Sequence, residues 1–280
     1  MSKPSFDNLR VLAFESRRRV EMASLITTYG GVPISAPAMR EVPLDTNDEG
    51  AASVQAVATG ACDIFVALTG VGLRAALDLA ESRVGRAEFV EALGRTRVVA
   101  RGPKPLAVLR ELNIAPWVVA PSPNTWREVL AAIDAQGADA VRGKRVVVQE
   151  YGTQPGALLT GLQDRGAGGA RLPVYRYALP DDLGALHAGL DALCDGTIDV
   201  VVFTTAAQID HALLVAEQRG RADEVRRQLA RAVVASVGPT TSDELTEQGI
   251  AIDLEATLPK MGVLVREAAL HARRLLSEKR

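Results

Sequence analysis

An internal repeat constrains the fold of this 280-residue chain more than any other feature. Gly102-Pro103 recurs as Gly238-Pro239, and the numbers 102 and 238 differ by 136. The same offset relates Asp63, which opens DIFVALTG, to Asp199, which opens DVVVFTTA. It persists over an ungapped match from about Leu12 to Leu130 of the first copy, including Gly30/Gly166, Pro37/Pro173, Arg40/Arg176, Asp45/Asp181 and Pro123/Pro259. The repeat predicts two similarly folded halves.

Each copy combines short β-branched runs with helical spacing. Near-continuous apolar runs are typical of strands buried on both faces of a parallel sheet. Between Glu21 and Gly30 the apolar residues share one helical face, and the glycine ends the helix. We therefore expect an α/β fold of two doubly wound parallel-sheet lobes built from six βα units. The six predicted strands are LRVLAF, DIFVAL, TRVVAR, RVVVQE, DVVVFT and AVVASV.

Composition narrows the class of protein. The 32 basic and 34 acidic residues give a formal net charge of -2, which provides no general attraction to nucleic acid or a membrane surface. Cys62 and Cys194 are the two cysteines, too few and too far apart for a disulfide framework or a thiolate metal site. The N-terminal residues do not follow the pattern of a signal peptide, so a cytoplasmic location is expected.

Function is expected in the loops that follow the strands, because parallel sheets bind ligands at the carboxyl ends of their strands. These loops read ESRRR, TGVG, RGPKP, EYGTQPG, TTAAQ and VGPTTSDE. Arg17, Arg18, Arg101 and Lys104 are basic there, and Thr240 replaces Lys104 in the second copy. Two interpretations stay open: an anion site, or ordinary βα turns with glycine and hydroxyl caps.

Several other kinds of site lack sequence support. Gly70-Val-Gly72 begins like a dinucleotide fingerprint, but Ala75 occupies the third glycine position. The three histidines are isolated in predicted helices and lack metal-ligand spacing. The chain shows no nucleophile elbow or phosphate-binding loop pattern.

The ordered motifs ESRRRVEMASLI, PAMREVPL, VVARGPKP, VVVQEYG, LPVYRYALPDD, DVVVFTTAAQ, SVGPTTSDEL and PKMGVLVREA resemble the uroporphyrinogen-III synthase family, in its actinobacterial form. The resemblance implies two lobes, residues 1–36 with 182–280 and residues 46–172. Residues 37–45 and 173–181 would form a two-stranded β connector. It also implies conversion of hydroxymethylbilane to uroporphyrinogen III, with inversion of the terminal pyrrole ring through a spiro intermediate.

The resemblance assigns roles to particular residues. Tyr175 matches the family tyrosine expected to assist departure of the substrate hydroxyl, although packing in the linker is an equal alternative. Hydroxymethylbilane is the implied ligand, with no cofactor, metal, nucleic acid or membrane partner, and with a monomeric protein. A non-catalytic two-lobed sensor of tetrapyrroles or anions is the competing hypothesis. The residues expected to bind substrate are Arg17, Arg18, Thr69, Gly70, Arg101, Gly102, Lys104, Tyr151, Gly152, Thr153, Thr204, Thr205, Gly238, Thr240 and Thr241.

Overall fold

The chain forms two compact units in a computed structural model. The structure describes residues 3–44, 47–137, 139–150, 152 and 156–279. Unit 1 contains Met1–Arg40 and Ala178–Arg280, and unit 2 contains Glu41–Tyr177. That the lobes divide at residues 36, 46, 172 and 182, as expected from the resemblance, stays a prediction.

Unit 1 is a five-stranded parallel sheet in the order β12-β11-β10-β1-β2, with helices on both faces. Its strands are β1 (Arg10–Ala13), β2 (Val32–Ser35), β10 (Val200–Phe203), β11 (Val233–Ser236) and β12 (Leu254–Glu255). Its helices are α1 (Arg19–Thr28), α8 (Gly184–Cys194), α9 (Ala206–Gln218), α10 (Ala222–Leu229), α11 (Pro239–Glu247) and α12 (Met261–Lys279).

Unit 2 repeats this architecture in the order β6-β5-β4-β7-β8. Its strands are β4 (Ile64–Ala67), β5 (Arg97–Ala100), β6 (Val118–Val119), β7 (Arg145–Gln149) and β8 (Gly168–Leu172). Its helices are α2 (Asp48–Ala58), α3 (Gly70–Arg83), α4 (Arg86–Arg95), α5 (Pro103–Glu111), α6 (Trp126–Asp134) and α7 (Gly156–Asp164).

A separate two-stranded sheet pairs β3 (Arg40–Pro43) with β9 (Tyr175–Ala178), as expected for the connector. Arg40 donates to the carbonyl of Leu179 at 3.2 Å and forms an ion pair with Asp181 at 2.8 Å. These contacts hold the two connecting segments together where the chain passes between units.

Each sheet buries both faces, because successive side chains of a strand point in opposite directions. In β1, Leu12 packs with α8 and α9, whereas Val11 packs with α1 and α12. In unit 2 one face packs against α2 to α5 and the other against α6 and α7. Burial on both faces explains why these strands read as continuous apolar runs.

The predicted α/β fold is confirmed, and all six predicted strands are present as β1, β4, β5, β7, β10 and β11. The edge strands β2, β6, β8 and β12 were not predicted, because they are short or contain exposed, proline or glycine positions. None of the helices among the described residues is long and apolar enough to span a membrane.

The register of the repeat needs one correction. Val11 pairs with Val200, and Val146 pairs with Ile64; Val200 and Ile64 are 136 residues apart. Val11 therefore corresponds to Val146, which is 135 residues away, so the ungapped match from Leu12 is wrong at its start. The second copy has one extra residue between its first strand and the glycine that ends the following helix.

Candidate active site

The order of the strands places one candidate site in each unit. The chain passes from β1 to β2 on one side and later adds β10, β11 and β12 on the other. The helices after β1 and β10 lie on opposite faces of the sheet, which leaves a crevice at the carboxyl ends of these neighbouring strands. The equivalent point in unit 2 lies between β4 and β7. We call these two places, where the order of the strands reverses direction, the switch points of units 1 and 2.

In unit 1 a hydrogen-bonded cluster occupies this point. Thr204, directly after β10, donates its hydroxyl to Glu15 Oε2 at 2.6 Å. Glu15, after β1, also accepts the backbone N–H of Arg18 through Oε1 at 3.1 Å. Gln208 is 1% exposed; it accepts the N–H of Thr204 and donates to its hydroxyl, both at 2.8 Å. The hydroxyl of Thr204 is thus already hydrogen-bonded within the protein. Thr205 lies at the N-terminus of α9, and its side chain forms no capping hydrogen bond.

The basic residues after β1 are exposed at the start of α1. The guanidinium of Arg18 is hydrogen-bonded and ion-paired to Glu21, and this bond raises the pKa of Arg18. Arg17 is also exposed. Substrate binding by Arg18 would therefore compete with an existing exposed ion pair, a kind of interaction that contributes little to stability.

The turn after β11 separates its two threonines. Thr240 is exposed, whereas Thr241 is 3% exposed and so has little direct access to a ligand. Gly238 donates its N–H to the hydroxyl of Ser236 at 3.2 Å, and Ser242 lies 2.9 Å from that hydroxyl. The buried hydroxyls of Ser236 and Ser242, which were not predicted as site residues, therefore hold this turn in place.

In unit 2 the loop after β4 is held by a buried glutamine. Gln149 is 0% exposed, and its Oε1 accepts the backbone N–H groups of Leu68 and Thr69, both at 3.2 Å. Thr69 caps α3, because its hydroxyl oxygen accepts the N–H of Gly72 at 2.9 Å. The TGVG loop thus has the hydroxyl cap expected of an ordinary βα turn. Gly70 lies against the carbonyl of Lys104, where a Cβ would approach to 2.8 Å.

The RGPKP turn offers fewer amide donors than its sequence suggested. Pro103 and Pro105 have no N–H, and Leu106 donates to Gly102 at 3.2 Å. Among the described contacts this leaves the Lys104 amide, next to its exposed side chain, as the open donor in the first turn. Gly102 is buried, and a Cβ there would lie 2.9 Å from Asn124. The half-buried Arg101 donates its backbone N–H to Ala67 at 3.0 Å.

The loop after β7 begins with a buried glutamate that pairs with a half-buried arginine of β8. Glu150 is 4% exposed, and both of its oxygens accept from Arg171 of β8. Gly152 adopts φ +92°, and a Cβ there would lie 2.5 Å from the ring of Tyr177, so glycine is required. Tyr151 and Thr153, both predicted to bind substrate, lie outside the described residues.

Tyr175 begins β9 and is 8% exposed. It belongs to the apolar core of unit 2, and its ring meets Tyr177 edge-on at a centroid distance of 5.7 Å. Both roles considered from the sequence thus have a physical basis at this position. Its role in departure of the hydroxyl stays a prediction.

Among the described residues, a metal site and a second ligand cavity have less support than the two switch points. No group of three potential metal ligands is found in the described ranges. A cavity of about 360 Å³ lies at the opposite edge of the unit 2 sheet. Its polar side chains are largely engaged: Asp63 pairs with Arg145, Arg95 pairs with Glu91, and Arg97 lies over Trp117. Most of the polar side chains around this cavity therefore already have protein partners.

Sequence reasoning missed four polar residues at the two switch points: Glu15, Gln149, Glu150 and Gln208. The sequence did contain a signal for the two glutamates, because the loops ESRRR and EYGTQPG both begin with a glutamate. Aligning the copies with an offset of 135 would have matched them. The glutamines carried no such signal because they come from non-equivalent positions.

Comparison with known proteins identifies the family. A sequence model of uroporphyrinogen-III synthase HemD matches residues 20–266, which include most of both units. The chain belongs to the uroporphyrinogen-III synthase family. A mutant uroporphyrinogen III synthase from the extremely thermophilic bacterium Thermus thermophilus superposes with a TM-score of 0.73 and 24% identity, over 96% of this chain and 99% of that one. This likeness shows that the fold is the family's two-lobed α/β fold.

Two curated relatives extend the comparison. Protein YjjA of Bacillus subtilis strain 168, described as uncharacterized, is 29% identical over 93% of this chain and 94% of its own. A putative uroporphyrinogen-III synthase of Methanothermobacter thermautotrophicus is 31% identical over 42% of this chain and 46% of its own.

Proposed function

We propose that the protein is a uroporphyrinogen-III synthase, which cyclises hydroxymethylbilane to uroporphyrinogen III with inversion of the terminal pyrrole ring. The observation that carries this proposal is the family match over residues 20–266. Because the closure eliminates water, the enzyme would be a hydro-lyase. It would act as a monomer in tetrapyrrole biosynthesis in the cytoplasm, where the buried free thiols of Cys62 and Cys194 stay reduced.

The geometry of the two switch points suits a polycarboxylate substrate. Exposed donors at the carboxyl-end edges include the side chains of Lys104 and Thr240. Thr69, Gly70 and Thr205 stand at the first turns of α3 and α9, where helix dipoles favour negative charge. We propose that each edge binds substrate carboxylates, so that orientation of the chain ends supplies much of the catalysis.

The test is incubation of the purified protein with freshly generated hydroxymethylbilane, followed by oxidation and separation of the uroporphyrin isomers. We expect predominantly type III product, whereas spontaneous closure without inversion gives type I. A parallel incubation without protein fixes the spontaneous background. Type I product alone, with tetrapyrrole retained on the protein, would reject the synthase in favour of a sensor.

A further inference from the structure

Glu15 is a carboxylate placed where a polyanionic substrate would be expected to bind. It is half-buried at the switch point of unit 1, between the ends of β1 and β10. Its two oxygens accept from an amide and a hydroxyl. Among the described residues it forms no ion pair, since the neighbouring Arg18 is paired with Glu21. The carboxylate of Glu15 is therefore held in position by an amide and a hydroxyl, and the guanidinium of Arg18 acts on it only through its electrostatic field.

The duplicated half provides an internal comparison. By strand register Glu150 is the equivalent residue of unit 2, and it forms an ion pair with Arg171, which also lies 3.6 Å from Glu49. Arg171 pairs with Val148 in the sheet, and the residue in the same place of unit 1 is Ser35, which pairs with Ala13. Unit 1 thus keeps the glutamate and lacks the arginine.

We propose that Glu15 is a catalytic residue that stabilises the cationic intermediate formed when the substrate loses its hydroxyl. This inference rests on the proposed function. Carboxylates of the substrate are repelled by Glu15, whereas its pyrrole N–H groups, and any cation derived from them, are attracted. A fixed negative charge aimed at developing positive charge lowers the barrier of the step that creates it.

The assigned step breaks the C–O bond of the terminal hydroxymethyl group. The oxygen leaves with the bonding electron pair as hydroxide and passes into the solvent, where it is neutralised by the proton that ring closure later releases, so that water is the net product. The lone pair of the pyrrole nitrogen is drawn towards the exocyclic carbon, which leaves an azafulvenium cation with its N–H still in place. Glu15 accepts a hydrogen bond from that N–H through a free lone pair and takes up no proton.

The test compares Glu15→Gln with the unsubstituted protein in the hydroxymethylbilane assay. Glutamine keeps the size of the side chain and removes its charge; its one carbonyl oxygen can accept the N–H of Arg18, while its NH2 group donates to the hydroxyl of Thr204, which can rotate. We expect kcat to fall roughly tenfold to a hundredfold. KM should stay the same or decrease, because a negative charge has been removed from the vicinity of a polyanion.

Two further variants separate charge at this position from other effects. Glu217→Gln removes the same charge from an exposed position of α9 and measures the general electrostatic contribution. Glu15→Asp keeps the charge on a shorter side chain and should recover most of the lost kcat. An unchanged kcat in Glu15→Gln, an equal fall in Glu217→Gln, or equal losses in the Asp and Gln variants would each overturn the inference.

The two proposals fail differently. If the unsubstituted protein makes no type III product, the proposed function is rejected and this inference falls with it. If the unsubstituted protein is active and Glu15→Gln retains its kcat, the synthase stands and only the role of Glu15 is rejected. Thermal unfolding of each variant, monitored by circular dichroism, verifies that the compared proteins are folded.

Discussion

Tyr175 combines a packing position with a functional expectation. Its ring is embedded in the core of unit 2 and contacts Tyr177, which in turn covers Gly152 of the loop after β7. A side chain so placed can orient that loop through its ring and act on a ligand through its hydroxyl. Phenylalanine separates the two, because it keeps the ring and removes the hydroxyl.

We predict that Tyr175→Phe lowers the rate of type III formation without lowering the unfolding temperature by more than a few degrees. Steady-state kinetics and thermal unfolding measure the two quantities. Tyr29→Phe, which removes a hydroxyl at the end of α1, is the matched control. Undiminished turnover in Tyr175→Phe would assign the tyrosine to packing.

At the scale of elements, the two halves secure the same strand end with glutamines from different places. In unit 1 the amide comes from α9 through Gln208, and in unit 2 it comes from β7 through Gln149. Gly72 occupies the helical position equivalent to Gln208, and a Cβ there would overlap the Gln149 amide. In unit 1 the strand position equivalent to Gln149 holds Phe14, which stacks on Phe203 at 5.3 Å. Each half therefore has room for one buried amide.

We predict that Gly72→Ala lowers the free energy of unfolding by about 1–3 kcal/mol, because the added methyl displaces a buried, hydrogen-bonded side chain. Gly94→Ala is the matched control, since a Cβ at this position of α4 meets no atom within 4 Å. That control should raise stability by about 0.5–1 kcal/mol through helix propensity. Urea denaturation measures both changes, and equal effects of the two substitutions would contradict the overlap.

The contact between α9 and α11 carries a pH dependence. Burial, together with a hydrogen bond to Glu244 and the charges of Glu244 and Glu247, raises the pKa of Asp210 to about 7. The ordinary value is 3.8, so between these values the folded protein holds a proton that the unfolded chain releases. The stability contributed by this proton is fully present below about pH 4. It is lost as the pH rises to 7.

We predict that Asp210→Asn is more stable than the unsubstituted protein at pH 8, and that the difference shrinks as the pH falls towards 5. Urea unfolding at several pH values gives both curves. Asp195→Asn, at the C-terminal end of α8, makes the same change of net charge at an exposed position. Parallel curves for the unsubstituted protein and Asp210→Asn would show that Asp210 does not titrate in this range.

At the scale of the whole molecule, duplication produced two similar sheets whose ligand edges have diverged. Asp63 and Asp199 form the same hydrogen bond in the two units. Each carboxylate accepts the N–H of the first residue of the neighbouring strand, at 2.8 and 2.9 Å. The amino ends of these strands therefore have the same hydrogen bonding in both units. The carboxyl ends differ: Glu150 is ion-paired with Arg171 in one unit, and Glu15 forms no ion pair with a described residue in the other.

The sequence by itself determined the duplication, the six inner strands and the α/β class. Apolar runs and helical spacing are local properties, so they can be recognised before the chain is folded. It also located the loops at the carboxyl ends, because their position follows from strand order along the chain.

Only the tertiary structure decided which of those loop residues are available to a ligand. Thr204 and Thr205 are adjacent in sequence, yet the first is bonded to Glu15 and Gln208, and the second has no such side-chain bond as a helix cap. The contrast between Glu15 and Glu150 likewise depends on a residue of the adjacent strand, distant in sequence. Hydrogen bonds and ion pairs between distant segments leave no periodic pattern, and they set both the charge and the accessibility of a site.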